Sequence, residues 1–305
     1  MTPLPIARRT TRRCSSLAAV ATVLAVAACG GEQELPPEAP CVASGTGQAS
    51  VVTFATFARK VEGAGVEGVD VDAIVSDGSD EAGCYKADFT SPEGIPGIDN
   101  QVSTLLPLVE ELVGADNIDA LLGAAITNGQ LIILVTVRGV DDFVNDSCVD
   151  VAFGAGAGAP LLDGAGNYLP YQTFGWDLDT AAVSTLQRGR IEDGVLLAGP
   201  GDVELPVRVL DANFKLGIHQ TRVRMNLARD DDGGGAELSG FVGGGIVVEE
   251  LAKVIESFNI GEQVKGAVVP LLKTRADLAM DADGNCRQIS AALRFATTPA
   301  YVIGE

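Results

Sequence analysis

The sequence is poor in the side chains from which most enzyme sites are built. It holds one histidine, His219, in 305 residues. A single imidazole excludes an HExxH site and any multi-histidine zinc centre. No lysine follows a glycine, which excludes a Walker A loop, and there is no GxSxG elbow and no CxxC pair. Aromatic residues make up 5% of the chain, with one tryptophan. The string "FGAGAGAP" contains GxGxxA at Gly154, Gly156 and Ala159. A dinucleotide site needs a helix to open there, and Pro160 followed by Leu161-Leu162-Asp163-Gly164 reads instead as a flexible link.

Positive charge is also scarce. Lys and Arg number 21 against 41 Asp and Glu, a formal charge of −20. Such a surface repels nucleic acid and anionic headgroups and attracts cations. The acids are scattered, many in Asp-Gly turns, which describes a solvated acidic surface. Long apolar runs are missing as well. Leu17–Ala28 spans 12 residues, about 18 Å as a helix against the ~30 Å of a bilayer core.

What surrounds that run is informative. Arg8, Arg9, Arg12 and Arg13 precede it, and no acid occurs before Glu32. A basic stretch followed by a short apolar one is the order of a secretory signal. Arg12-Arg13 lacks the apolar residues that twin-arginine export requires; Cys14 and serines stand there. Val26-Ala27-Ala28-Cys29 resembles a bacterial lipobox. The resemblance implies cleavage before Cys29, a diacylglyceryl chain on its thiol and acylation of the new amino terminus, and several acyl chains anchor firmly. Residues 1–28 are then a removed signal, 29–41 a lipidated cysteine with a flexible tether, and 42–305 a single β-rich extracytoplasmic domain. Loss of four arginines takes the charge from −20 to −24.

Cys41, Cys84, Cys148 and Cys286 remain, an even number that reads as two disulfides in an exported protein. Three pairings are open; the expectation is Cys41–Cys84, neighbours in sequence, with Cys148–Cys286.

Strand-like runs occur at "SVVTFATFAR", "QLIILVTVRG" and "SCVDVAFGAG". Asp193-Gly194 marks a tight hairpin. In "NFKLGIHQTRVRMNLARD", Phe214, Leu216 and Ile218 alternate on even positions, but Val223, Met225 and Leu227 on odd ones. One slip of phase predicts a β-bulge near His219. Helical spacing appears over 102–113, where Pro107 predicts a kink or a start, and over 118–126, 248–258 and 264–272. Residues 62–100 read as a long irregular region held by Cys84. The expected fold is mainly β with helical insertions (α+β): an antiparallel β-sandwich-like core with three to four helices.

Candidate ligand groups are few. In "MDADGNC", Asp281, Asp283 and Asn285 stand two apart, as at the start of a calcium loop. Cys286 and Ala292 occupy places where an EF-hand has Gly and Glu. Asp141, Asp142, Asn145 and Asp146 form a second acidic cluster, and Asp230–Asp232 a third. Tyr168, Tyr171 and Trp176 cluster in "NYLPYQTFGWD", and ring faces can stack on sugars. A packed strand accounts for them equally.

With "GIDNQ" (97–101) before a helical stretch and "DGNC" before a last strand, the lipobox and the acidic Ala/Gly-rich body resemble poorly characterised lipoproteins of high-GC Gram-negative bacteria, myxobacteria among them. The expectation is a lipid-anchored protein of the cell envelope, at the outer membrane, with a non-enzymatic binding or structural role. Its partners would be the membrane, through the anchor, and a protein or carbohydrate, and not nucleic acid. No cofactor is expected beyond a possible calcium ion. Alternatives are an extracytoplasmic hydrolase using a carboxylate pair and a calcium-stabilised carbohydrate- or surface-binding module.

Overall fold

The first and last long strands pair with each other, and this closes the fold. The computed structural model describes residues 41, 43, 47–81, 83–113, 117–209, 212–229, 235–257 and 261–304. Eight strands follow in chain order: β1 (Gln48–Phe57), β2 (Ile133–Arg138), β3 (Asp146–Ala157), β4 (Ser184–Glu192), β5 (Val195–Val209), β6 (Ala212–Arg229), β7 (Ala236–Val247) and β8 (Cys286–Ile303). Each pairs antiparallel with the next. β8 then returns to β1, with Ser50 opposite Pro299 and Phe57 opposite Leu293. The result is an up-and-down ring of eight strands, a size whose interior side chains can fill. A short strand, Gln172–Trp176, joins the same sheet, antiparallel to the end of β3 and parallel to the end of β8.

All eight strands contribute to one apolar cluster, including Val51, Leu134, Val151, Leu186, Leu196, Met225, Leu238 and Phe295. The β-rich character and the four helices agree with the sequence. The two-sheet sandwich does not: the ladder runs around a circle. Alternation along a strand gives an inner and an outer face in either architecture, so periodicity does not distinguish them.

The local signals hold. Asp193 and Gly194, both at positive φ (49° and 79°), turn β4 into β5. The register of β6 on β7 jumps between His219 and Arg222, and Gln220 sits at φ 52°. Ile218, Val223, Met225 and Leu227 all reach the common core, so the bulge keeps both halves of β6 facing inward. The chain "FGAGAGAP" departs from its expectation, because β3 continues to Ala157. A Cβ on Gly154 would lie 2.7 Å from Trp176 Cζ3. Gly154 lets the indole lie against the strand.

Between β1 and β2 the chain makes a long excursion. It holds two small hairpins (strands Lys60–Val61 with Gly65–Val66, and Phe89–Thr90 with Pro96–Ile98). A 3-10 turn, Gln101–Thr104, and helices α1 (Leu106–Val113) and α2 (Asn117–Thr127) follow. Pro107 lies in the first turn of α1, where its missing N–H has no bond to lose. Arg59 binds both helices, at 2.6 Å to Glu110 and 2.6 Å to Asp119. Between β7 and β8, α3 (Val248–Ser257) and α4 (Glu262–Arg275) pack Val248, Val268 and Leu272 on Ile246 and Ile289. Strand Leu278–Met280 then pairs with β8.

The disulfides are Cys41–Cys148 and Cys84–Cys286, not the expected pairs. β1 and β3 run parallel on either side of β2, with Gln48 opposite Val137 and Val137 opposite Val151. Their N-terminal ends meet at one end of the ring, which places Cys41 beside Cys148. The second bridge ties the excursion to the first residue of β8. Disulfides belong to oxidising compartments outside the cytosol. No helix among the described residues is long and apolar enough to cross a membrane.

Candidate functional site

Two strands carry an Arg-x-Arg pair, Arg188/Arg190 on β4 and Arg222/Arg224 on β6. Side chains two apart on a strand share a face. On β6, Val223 and Met225 are buried inside the ring, so Arg222 and Arg224 point outward. The register aligns a row across the outer surface. Leu197 lies opposite both Arg190 and Arg224, Arg224 opposite Phe241, and Phe241 opposite Arg294.

The excursion covers this row. Arg222 Nε donates to the carbonyl of Val71 at 2.8 Å, and the segment from Glu67 to Ile98 forms the facing wall. A cleft of about 190 Å³ is left between them, lined by all four arginines of the two pairs. The four guanidinium groups differ in their partners. Arg190 binds Glu192 at 2.6 Å, and Arg222 is held by Val71. Among the described residues, Arg188 and Arg224 have no side-chain hydrogen bond or ion pair. Of the acids lining the cleft, Glu67 is turned to Arg294 (3.6 Å) and to the N–H of Arg59 (3.4 Å). Glu93 is held below its usual range, first by the Ser91 hydroxyl and to a lesser degree by the charge of Arg224.

Behind the same wall lies an acidic group. One carboxylate oxygen each from Asp70, Asp72 and Asp99 falls within 4.8 Å of the others. Asp99 is buried and accepts the Val71 N–H at 2.7 Å. Burial pushes its carboxyl up to about 8, and the charges of Asp72, Asp88 and Asp277 add to this. Burial also raises Asp70 and Asp88, and Asp88 hydrogen-bonds to Asp99. Asp277, buried against Ser290, is raised to about 7 by burial. A proton shared between Asp88 and Asp99, or a cation with hard oxygen ligands, satisfies such a group.

The candidates expected from sequence fall elsewhere. Asp281 caps its own turn: its Oδ1 accepts the N–H of Asp283 (3.0 Å) and of Asn285 (2.9 Å), and its other oxygen faces Arg287. Asp281, Asp283 and Asn285 are thus a hairpin turn, and the three-acid group capable of holding a metal lies at 70, 72 and 99. Asp146 likewise closes its loop, accepting the N–H groups of Asp141 and Cys148. Asp230–Asp232 and Cys29 lie outside the described residues. The aromatic cluster does not form a platform. Tyr168 and Trp176 are buried in the core, the Tyr168 hydroxyl bound to the Ile126 carbonyl at 2.7 Å. Tyr171 packs on Tyr301 with ring centres 6.0 Å apart. His219 stands at the bulge, half-exposed, with Nδ1 3.4 Å from Asp202.

The arginine cleft was not anticipated. Its signal lay in "RGR" and "RVR" at strand spacing within a strongly acidic chain. No protein-family model, no curated protein and no solved structure matches the chain.

Proposed function

We propose that this chain is a lipid-anchored protein of the bacterial cell envelope, with a non-enzymatic binding or structural role. The observation that supports it best is the position of Cys41. It is bonded to Cys148 at the start of β3, a disulfide of the kind that forms outside the cytosol. The segment joining a lipidated Cys29 to the ring would therefore be the eleven residues 30–40, which reach no more than about 40 Å fully extended. The ring would work close to the membrane surface. Gly30, rather than Asp, after the lipid-bearing cysteine favours passage to the outer membrane. Mass spectrometry of the purified chain tests the anchor. The expected mature N-terminus is Cys29 carrying three acyl chains, and Cys29→Ala should release the protein from the membrane fraction. An unmodified N-terminus overturns the reading.

The acidic group at Asp70, Asp72 and Asp99 favours a second reading, a domain stabilised by calcium. All three offer hard carboxylate oxygens, and a divalent cation would relieve the burial of Asp99. The melting temperature in calcium and in chelator decides. A rise of several degrees with calcium, absent in Asp72→Asn, supports it; identical melts remove it.

A further inference from the structure

We infer that the cleft between the outer faces of β4 and β6 and the segment 67–98 binds a small oxyanion of the phosphate type. This goes beyond the anchored-protein reading and does not depend on the anchor.

Charge is the first argument. The chain holds 21 basic residues against 41 acids, and four of the 21 line one cleft of about 190 Å³. Scattered at random on an acidic surface, arginines would pair with nearby carboxylates. Here none of the three acids lining the cleft forms an ion pair with the four arginines: Glu67 is turned to Arg294 and Arg59, Asp70 accepts the N–H of Ala73 at 2.6 Å, and Glu93 is held first by Ser91, with the charge of Arg224 a smaller influence.

The second argument is unmet donors. Arg224 is half-buried under the 67–98 wall, and Arg188, exposed to solvent, lines the mouth of the same space. A guanidinium carries five N–H donors in a fixed fork and has no acceptor of its own. Partly desolvated donors without partners are unfavourable, and a phosphate supplies several strong acceptors in the geometry an arginine fork matches.

The backbone supplies the third argument. Between Val149 opposite Gly189 and Val151 opposite Leu186, β4 carries one extra residue, and Arg188 sits there at φ 59°. Such a bulge re-aims a side chain. With the extra residue, Leu186 stays buried in the ring while Arg188 and Arg190 both face the cleft.

The remaining walls are apolar: Leu197, Phe241 and Ile95 line the space as well. The ligand therefore has an oxyanion head held by Arg188 and Arg224, and room for a compact uncharged body. A free phosphate ester and a phospholipid headgroup share this chemistry.

Melting curves and titration calorimetry on the purified full chain test the assignment, in chloride at constant ionic strength and free of other oxyanions. The two probes are inorganic phosphate and a short-chain, monomeric phosphatidylglycerol. Saturable binding with a raised melting temperature is expected for at least one. Binding by phosphate points to a soluble ester, and binding by the lipid alone to a headgroup. Arg188→Gln with Arg224→Gln should weaken binding about tenfold or more, and Lys60→Gln, an exposed basic residue away from the cleft, should leave it unchanged. If the double variant does not fold, Arg190→Gln at the exposed rim replaces it, and weakened binding is again expected. Absence of saturable binding by both probes overturns the proposal, as does equal binding by the cleft variants.

Discussion

Ser290 on β8 donates twice to Asp277, through its N–H at 2.7 Å and its hydroxyl at 2.5 Å, with both side chains buried. The same hydroxyl accepts the N–H of Gln101, at 2.8 Å, where the long excursion returns toward α1. One hydroxyl thus joins the ring, the strand before it and the excursion. Ser290→Ala removes a partner from a buried carboxyl and from a buried N–H at once. The Gln101 N–H is orphaned, at about 1–3 kcal/mol, while Asp277 keeps the Ser290 N–H, so the loss should be about 1–3 kcal/mol, measured by urea unfolding. A loss under ~0.5 kcal/mol would show that water replaces the hydroxyl.

The same carboxyl sets a dependence on pH. Aspartates in an unfolded chain titrate near ~3.9, while burial holds Asp277 at about 7 and Asp99 at about 8. The folded state therefore binds more protons than the unfolded state between those limits. Stability contributed by these groups is fully present below about pH 4 and is lost as pH rises through 7 and 8. Chemical unfolding from pH 5 to 9 in chelator should show that fall, and Asp99→Asn should flatten its upper part. Added calcium should reverse the slope if the acidic group takes the ion, because a ligand carboxylate must lose its proton.

The two disulfides close loops with sequence separations of 107 and 202 residues. In the chain-entropy account each is worth about 5 kcal/mol. The consequences of losing them differ. Cys84 and Cys286 hold the excursion on the ring, so Cys84→Ser with Cys286→Ser should lower the melting temperature and loosen the wall of the cleft. Hydrogen exchange should then rise first in residues 67–98. Exchange rising evenly through β1–β8 would contradict a local role.

How far the sequence carries depends on the range of the interaction. The bulge in β6 was legible because Ile218 and Val223 lie on opposite phases of one alternation. The start of α1 was legible because Pro107 tolerates the first turn and little else. Closure of the ring was not legible, since the pairing of Ser50 with Pro299 joins residues far apart whose inner and outer faces look the same in a sandwich. The disulfide pairs failed for the same reason: nearness in sequence is a poor guide when β1 and β3 lie side by side across β2. The site misled in a different way. Asp281 and Asp283 have ligand-like spacing that a turn also needs, whereas Asp70, Asp72 and Asp99 meet only because Val69 bridges to Asp99. Tyr168 and Trp176 were conspicuous as aromatics and serve the core.

Tyr168 makes that last distinction measurable. Its ring is buried, burial raises its phenol to about 12, and its hydroxyl donates to the Ile126 carbonyl at the end of α2. Tyr168→Phe keeps the packing and deletes the bond, so about 1–2 kcal/mol should be lost with no change in ligand binding. A sugar-stacking role predicts the opposite pattern, near-normal stability with altered carbohydrate affinity.

The bulge in β6 offers the sharpest test of the ring itself. Gln220 occupies φ 52°, a region where a side chain is strained and a β-branched one is a severe misfit. Its N–H donates to Asp202 at 3.1 Å, which fixes the extra residue against β5. Gln220→Gly should be neutral or stabilise by up to about 1 kcal/mol, because the strained backbone is relieved. Gln220→Val should destabilise by about 1–3 kcal/mol. Deleting Gln220 restores a regular strand, but it turns one half of β6 inside out: either Leu216 and Ile218 or Val223, Met225 and Leu227 must leave the interior. A ring closed by eight strands has no free edge to absorb such a slip. The deletion should therefore abolish folding, read as loss of near-ultraviolet circular dichroism, where Gln220→Gly leaves the signal intact. A folded deletion variant would mean that β6 is paired in another register.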